Sequence, residues 1–364
     1  MLVSVFNGIK IDAIACAVPA NEVLAETIYR EHGQELTDKI KKTVAVHSIR
    51  RSVRKQIASD LGYVAAKRIM DQKSIDPAGV GVLVFATQTP DYPHPPTSDI
   101  LHKRLGLSFD CAAIDVNNGC AGFVYGAQVT CAMLQSFNCG YALLIVGDTS
   151  NPKNENKEFM DKRVSVPFGD GTAAILFKKD GGPHKIECSL NSNGNGYHSL
   201  IKFYGGYRGE TYTESELALG NRNKGYPLMN GVEVFNFSIT DVPKHINGFL
   251  EYQRKTVNDY DCVVLHQPNL FMIKQIAKKI GADIEKVPIS LDRYGNTSGA
   301  SIPLTLVDKY GGYAASRINA LMCGFGVGLS WGTMSAEIDT DDILPMIYSD
   351  DYFEDPMLDL YEYD

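Results

Sequence analysis

Three residues of this chain could do covalent acyl chemistry, and they stand in matching local settings: Cys120, His266 and Asn296. Cys120 lies in Asp115-Val-Asn-Asn-Gly-Cys-Ala-Gly-Phe-Val, where an apolar strand gives way to a helix. A helix start presents unpaired N–H groups and a partial positive charge, which favour a thiolate over a thiol. Gly119 and Gly122 flank the region without a Cβ, so other atoms can approach the sulfur closely. His266, in Val263-Val-Leu-His-Gln-Pro-Asn, and Asn296, in Tyr294-Gly-Asn-Thr-Ser-Gly-Ala, again follow apolar strands and precede helices. A nucleophile with two polar helpers at one end of a sheet is the arrangement this pattern predicts.

Each residue alone has a plainer reading. A cysteine among Gly and Ala is usually packing, a histidine is usually structural, and an Asn between Gly and Thr suits a turn or a cap. Joint placement raises the chemical reading. A thiolate can accept an acyl group while backbone N–H groups hold the tetrahedral oxyanion. A neutral imidazole and a carboxamide can both donate to a second thioester carbonyl and so stabilise an enolate left by loss of CO₂. That chemistry needs no metal and no cofactor. Gly324-Phe-Gly-Val-Gly-Leu-Ser-Trp-Gly lacks the Lys of a phosphate loop. It reads equally as a tight turn or as a hairpin whose N–H groups reach an oxyanion.

The elements that must position these residues alternate between strand and helix, an α/β layout. Strands are expected at 80–86, 112–116, 141–146, 173–177, 262–265, 287–291, 320–323 and 329–338. Helices are expected at 98–105, 121–137, 270–280 and 302–310. Asp115-Val-Asn-Asn-Gly-Cys-Ala-Gly and Asp292-Arg-Tyr-Gly-Asn-Thr-Ser-Gly occupy equivalent strand–loop–helix slots. This predicts an internal duplication that brings both loops to one face, although any α/β protein repeats such units.

Composition narrows the class. The 364 residues, 44% apolar, can bury a large core. No apolar run approaches the roughly 20 residues of a membrane span, and the first ten residues read as a strand rather than a signal peptide. The eight cysteines form no C-x-x-C pair, which argues for reduced, buried thiols and a cytoplasmic protein and against a metal site. Net charge is −8, but Glu337–Asp364 carries eleven acids and neither Lys nor Arg, leaving a body of 35 bases and 32 acids. So weak a positive balance suits acidic or phosphate-bearing partners and does not argue for nucleic acid.

Five segments together resemble the β-ketoacyl-acyl-carrier-protein synthase III family of the thiolase fold. They are Asn118-Gly-Cys-Ala-Gly-Phe, Val166-Pro-Phe-Gly-Asp-Gly-Thr-Ala-Ala, His266-Gln-Pro-Asn, Leu291-Asp-Arg-Tyr-Gly-Asn-Thr-Ser-Gly-Ala-Ser and Gly326-Val-Gly-Leu-Ser-Trp-Gly. They run in the family's order over roughly residues 3–338. The resemblance implies two similar halves in a five-layer α-β-α-β-α arrangement: residues 1–180 with the nucleophile, 181–338 with His and Asn, then an acidic tail, 339–364. It implies a homodimer that takes an acyl group from acyl-CoA onto Cys120 and condenses it with malonyl acyl carrier protein. His266 and Asn296 would assist decarboxylation. The N–H groups of Cys120 and Val327 would form the oxyanion hole, and Asn269, Arg50, His94 and Phe168 would line the substrate path.

Departures concern binding. Where relatives clamp the adenine of CoA, Lys42 and Val46 stand here, though Arg50 is retained; Asn236 and Phe271 replace basic residues at the tunnel mouth. His94 takes the place of an aromatic residue that shapes the acyl pocket across the dimer. These changes point to a specialised member rather than a housekeeping initiation enzyme. Two other readings stay open: an acyltransferase of this fold without decarboxylation, and a non-catalytic subunit that binds acyl chains or a partner. A cysteine protease shares the Cys, His, Asn order but not the local sequence around its nucleophile. The tail interleaves Tyr, Phe, Met and Leu with acids, which predicts docking on the body or on a partner.

Overall fold

The computed structural model describes residues 1–29, 44–53, 55–150, 168–202, 206–213, 215, 227–313 and 315–356. Lys42 and the Val166-Pro pair of the second motif lie outside these residues. Fifteen strands are described: β1 (Ser4–Asn7), β2 (Ile9–Pro19), β3 (Glu22–Leu24), β4 (Ser48–Arg50), β5 (Val80–Ala86), β6 (Ala112–Val116), β7 (Tyr141–Asp148), β8 (Gly171–Lys179), β9 (Lys185–Ser192), β10 (Leu200–Lys202), β11 (Pro227–Met229), β12 (Cys262–Leu265), β13 (Arg317–Gly326), β14 (Ser330–Asp339) and β15 (Ile347–Ser349). The longer helices are α1 (Ala58–Lys73), α2 (Thr97–Leu105), α3 (Gly122–Ser136), α4 (Gly231–Gln253), α5 (Leu270–Ile280) and α6 (Ser301–Tyr310).

Two sheets carry the fold, with strand orders β15-β2-β8-β7-β5-β6 and β1-β9-β14-β13-β12. In the first, β2/β8 and β8/β7 are antiparallel and β7/β5 is parallel. In the second, β9/β14 and β14/β13 are antiparallel and β13/β12 is parallel. The same order and the same directions recur, as a duplicated unit requires. The termini cross between the units: β1 joins the second sheet, and β15, from the tail, joins the first.

Central strands are continuous apolar runs because both of their faces are covered. Ala142–Val146 is fully buried, and so is most of Val82–Ala86. Helices α3 and α6 lie between the two sheets and touch both, α1 and α2 cover the outer face of the first, and α4 and α5 that of the second. The result is five layers, α-β-α-β-α, with apolar cores on either side of each sheet.

One expected strand is not formed. Residues 287–291 occupy the slot equivalent to β6 but make no ladder. Pro288 lacks an N–H to donate. The buried Gln267 side chain takes up backbone groups instead: its Nε2 donates to the Leu265 carbonyl (2.7 Å) and its Oε1 accepts from Ser290 N–H (3.2 Å). The segment then turns through a short helix, Leu291–Tyr294, into Asn296. The nucleophile sits just outside its helix, at the expected seam. Residues 119–121 form a turn closed by Gly122 N–H on the Gly119 carbonyl (2.5 Å), and α3 starts at Gly122.

Candidate active site

Cys120 leaves β6 and arrives beneath the β13–β14 hairpin. It is 9% exposed. The hairpin reaches it because Gly326 has no side chain: a Cβ there would stand 2.5 Å from Cys120 Cβ and 2.9 Å from Sγ. Gly299 admits the third element for the same reason, since a Cβ would meet the Gly119 carbonyl at 2.9 Å. Three groups hydrogen-bond at the sulfur: the N–H of Val327, the N–H of Cys120 itself and the hydroxyl of Ser298. Val327 needs no left-handed backbone; the open angle falls on Gly328 (φ 141°).

Burial dominates the electrostatics of the thiol. It pushes the Cys120 pKa up to about 11, with the Asp148 carboxylate adding to the rise and the three donors opposing it. The helix start alone therefore does not hold a resting thiolate, contrary to the expectation from sequence: desolvation outweighs it. Thiolate should then grow about tenfold per pH unit across the neutral range. The rate of Cys120 carbamidomethylation by iodoacetamide is expected to climb continuously from pH 7 to 10. A plateau below pH 8 would show an already ionised sulfur.

His266 extends from the end of β12, where its N–H donates to the Cys323 carbonyl (2.9 Å). Its Nδ1 lies 2.7 Å from the Ser301 hydroxyl, and its ring stands edge-on to Phe325 at 5.4 Å between centroids. The ring also donates to the Ser298 carbonyl, which opposes a much larger effect of burial; the pKa falls to about 3. The imidazole is therefore neutral at physiological pH. Asn296 is fixed through its backbone and its side chain: its carbonyl accepts from Gly169 N–H (3.0 Å), in a bridge with Phe168, and its Oδ1 accepts from Ser298 N–H (2.9 Å). With the amide oxygen engaged, the NH₂ group is the free end and can only donate.

Ser298 thus joins all three expected residues. Its hydroxyl serves Cys120, its N–H Asn296 and its carbonyl His266. It has φ 52°, an uncommon angle for a residue with a Cβ. Sequence reasoning assigned no role to Ser298 or Ser301. Their only signal was membership of Asn296-Thr-Ser-Gly-Ala-Ser, a run equally suited to a plain helix start.

Of the expected substrate-path residues, only Phe168 joins the hydrogen bonding of this centre, through its bridge with Asn296. Asn269 caps α5, its Oδ1 accepting from Met272 N–H (2.8 Å). His94 is exposed in the Pro-rich loop. Arg50 is already engaged: Nη1 donates to the Ala20 carbonyl (2.9 Å), Nη2 pairs with Glu22 (3.4 Å), and the guanidinium lies 4.8 Å from the centre of the Tyr348 ring. Val46 is buried in core. Phe271 is half exposed and stacked on Phe235 at 5.7 Å, so an aromatic pair occupies a place expected to hold a basic residue.

A cysteine under two backbone donors, with a neutral imidazole and a donating carboxamide around one serine, is equipped for acyl transfer through a thioester. Comparison with known proteins agrees. Residues 114–194 match the family described as 3-oxoacyl-[acyl-carrier-protein (ACP)] synthase III, and residues 250–338 match its C-terminal counterpart. The chain is 32% identical over 282 residues to a β-ketoacyl-[acyl-carrier-protein] synthase III of Geobacillus kaustophilus, covering 76% of this chain and 82% of the relative. It is 29% identical to one of Streptococcus mutans, over 79% of this chain and 87% of the relative. The crystal structure of a 3-oxoacyl-(acyl-carrier protein) synthase from Burkholderia xenovorans superimposes with a TM-score of 0.87 at 27% identity, covering 96% of this chain and 99% of that one. Since the likeness runs through both halves and takes in the segments that build this site, the chain belongs to the β-ketoacyl-acyl-carrier-protein synthase III family of thiolase-fold condensing enzymes.

Proposed function

We propose that this condensing enzyme loads an acyl group onto Cys120 and joins it to a malonyl thioester on acyl carrier protein, with loss of CO₂. Residues 1–180 supply the nucleophile, and 181–338 supply His266 and Asn296. In the first half-reaction the Cys120 sulfur attacks the acyl thioester, whose oxygen becomes an oxyanion between the N–H groups of Cys120 and Val327. The carrier's thiol leaves with the proton that Cys120 gives up. In the second, the Ser301 hydroxyl donates to His266 Nδ1, leaving the proton on Nε2. That N–H, held at rest by the Ser298 carbonyl, turns to the malonyl thioester carbonyl, to which the Asn296 NH₂ also donates. Negative charge accumulates on this oxygen as the carboxylate departs as CO₂, so the donors act where charge develops. The resulting carbanion attacks the acyl carbonyl, the Cys120–acyl bond breaks and a β-ketoacyl thioester leaves.

The gathering of Cys120, His266 and Asn296 around Ser298 carries this reading. An acyltransferase without decarboxylation would have no use for the donating face of Asn296, and a non-catalytic subunit would have none for the donors on the sulfur. A specialised acyl donor is supported by the engagement of Arg50 and by the aromatic pair at Phe271. No described helix is long and apolar enough to cross a membrane. Homodimerisation is supported by β6, which among the described residues is paired on one side only and is half-buried along its length, with Phe109 fully exposed just before it. Light scattering that returned a single-chain mass would end the dimer proposal.

The discriminating experiment is intact-mass analysis after incubation with a panel of acyl-CoAs and acyl carrier proteins. An acyl adduct on the Cys120 peptide is expected, followed by its discharge on adding malonyl carrier protein. Failure of every donor to label, or a label that malonyl carrier protein does not discharge, would count against the reading.

A further inference from the structure

Beyond β14 the chain folds back onto the body rather than leaving it. Ile347, Tyr348 and Ser349 pair in parallel with Ala17, Val18 and Pro19 of β2. Gln56, whose side chain is buried at the start of α1, donates from Nε2 to both the Ser349 and the Asp351 carbonyls (2.9 Å each). Asp60 accepts from Phe353 N–H (2.9 Å), and the Phe353 ring lies against the Arg104 guanidinium (4.6 Å). Tyr92, in the Pro-rich loop, donates to the Asp355 carboxylate (2.7 Å). Backbone and side-chain bonds from three parts of the body thus fix the segment in one register.

From this anchored segment Tyr348 reaches toward the second catalytic loop. Its hydroxyl lies 3.0 Å from the hydroxyl of Tyr294, a buried side chain two residues before Asn296. Its ring faces the Arg50 guanidinium at 4.8 Å. Arg50 ends the strand that supports the same loop: His47 N–H donates to the Asp292 carbonyl (2.7 Å) and the Ser48 hydroxyl to the Arg293 carbonyl (3.1 Å). The Arg50 carbonyl accepts from Asp170 N–H (2.8 Å), one residue from Gly169, whose own N–H holds the Asn296 carbonyl. Tyr348 therefore links the loop carrying Asn296 directly to the strand and turn that fix its other side.

We propose that Tyr348 is a positioning residue: the docked C-terminal segment uses it to set the Asn296 loop for decarboxylation. The proposal rests on the reading of Asn296 as a donor in that step. Tyr348 is half exposed (51%), so replacing it opens no core cavity. The effect should fall mainly on decarboxylation, because the oxyanion donors, the N–H groups of Cys120 and Val327, belong to other elements and only the Ser298 hydroxyl reaches the sulfur from this loop.

The test compares full-length protein with Tyr348→Phe, Tyr348→Ala and Asn296→Ala, measuring Cys120 acylation by intact mass and CO₂ release from malonyl carrier protein separately. A misplacement well under 1 Å should cost Tyr348→Ala about 5- to 20-fold in the decarboxylation rate, with acylation within about twofold. Tyr348→Phe, which keeps the ring over Arg50 and loses only the hydroxyl contact, should fall about 2- to 5-fold in the same step. It also keeps the test open if the alanine variant does not fold. Decarboxylation unchanged in both Tyr348 variants, while Asn296→Ala abolishes it, would overturn the proposal and leave the Asn296 reading intact. Equal losses in both half-reactions would reduce Tyr348 to a structural contact, which also overturns it. Normal decarboxylation by Asn296→Ala would remove the Asn296 reading and this proposal together.

Discussion

Cys120→Ala is expected to abolish acyl labelling and to lower overall condensation by about 10³-fold or more, since no other group replaces a covalent nucleophile. Cys120 is buried, and removing one sulfur atom loses the Ser298 hydroxyl contact but leaves the close approach of Gly326 to the Cys120 Cβ. The variant should fold normally, with an unchanged circular dichroism spectrum and melting temperature within a few degrees. Among the described residues the other cysteines are free thiols, several wholly buried, and burial raises the Cys16, Cys131 and Cys188 thiols as well. What separates Cys120 from them is a pair of backbone donors. Val327 N–H and Cys120 N–H mark the place where an oxyanion would sit, whereas burial alone raises the Cys16 pKa. Persistent labelling of the alanine variant at a comparable rate would identify a different nucleophile and undo the mechanism.

Asn296→Ala and His266→Ala should instead separate the two half-reactions. Each removes a donor aimed at the malonyl carbonyl, and removing a preorganised donor of this kind costs about 10²- to 10³-fold. Decarboxylation should fall by that factor while acylation of Cys120 changes by no more than about threefold. His266 is neutral throughout the working range because burial holds its pKa near 3, so its contribution should show no titration between pH 6 and 9. Rapid-quench measurement of the two steps would decide the matter. A loss of equal size in both would mean that His266 or Asn296 activates the sulfur and that the division of labour is wrongly drawn.

Much of this was legible before any coordinates. Strand–loop–helix seams at Cys120 and His266 could be read from the change of hydrophobic period, because strands covered on both faces show as apolar runs. The failure at 287–291 is equally local in origin: the apolar pattern was present, but Pro288 removed a donor and Gln267 took up the backbone groups. Periodicity reports which side chains are buried and says nothing about which backbone groups find ladder partners.

The amino-acid sequence by itself determined the elements, the three reactive side chains and the glycines that let backbones meet. Those are consequences of side-chain size, polarity and backbone freedom, which act over a few residues. Only the tertiary structure decided that one serine, at φ 52°, would tie the three together, that burial would overrule the helix start at Cys120, and that Tyr348 would come to rest beside Tyr294. Desolvation and contacts across fifty or more residues depend on how the whole chain packs, and no local pattern encodes them.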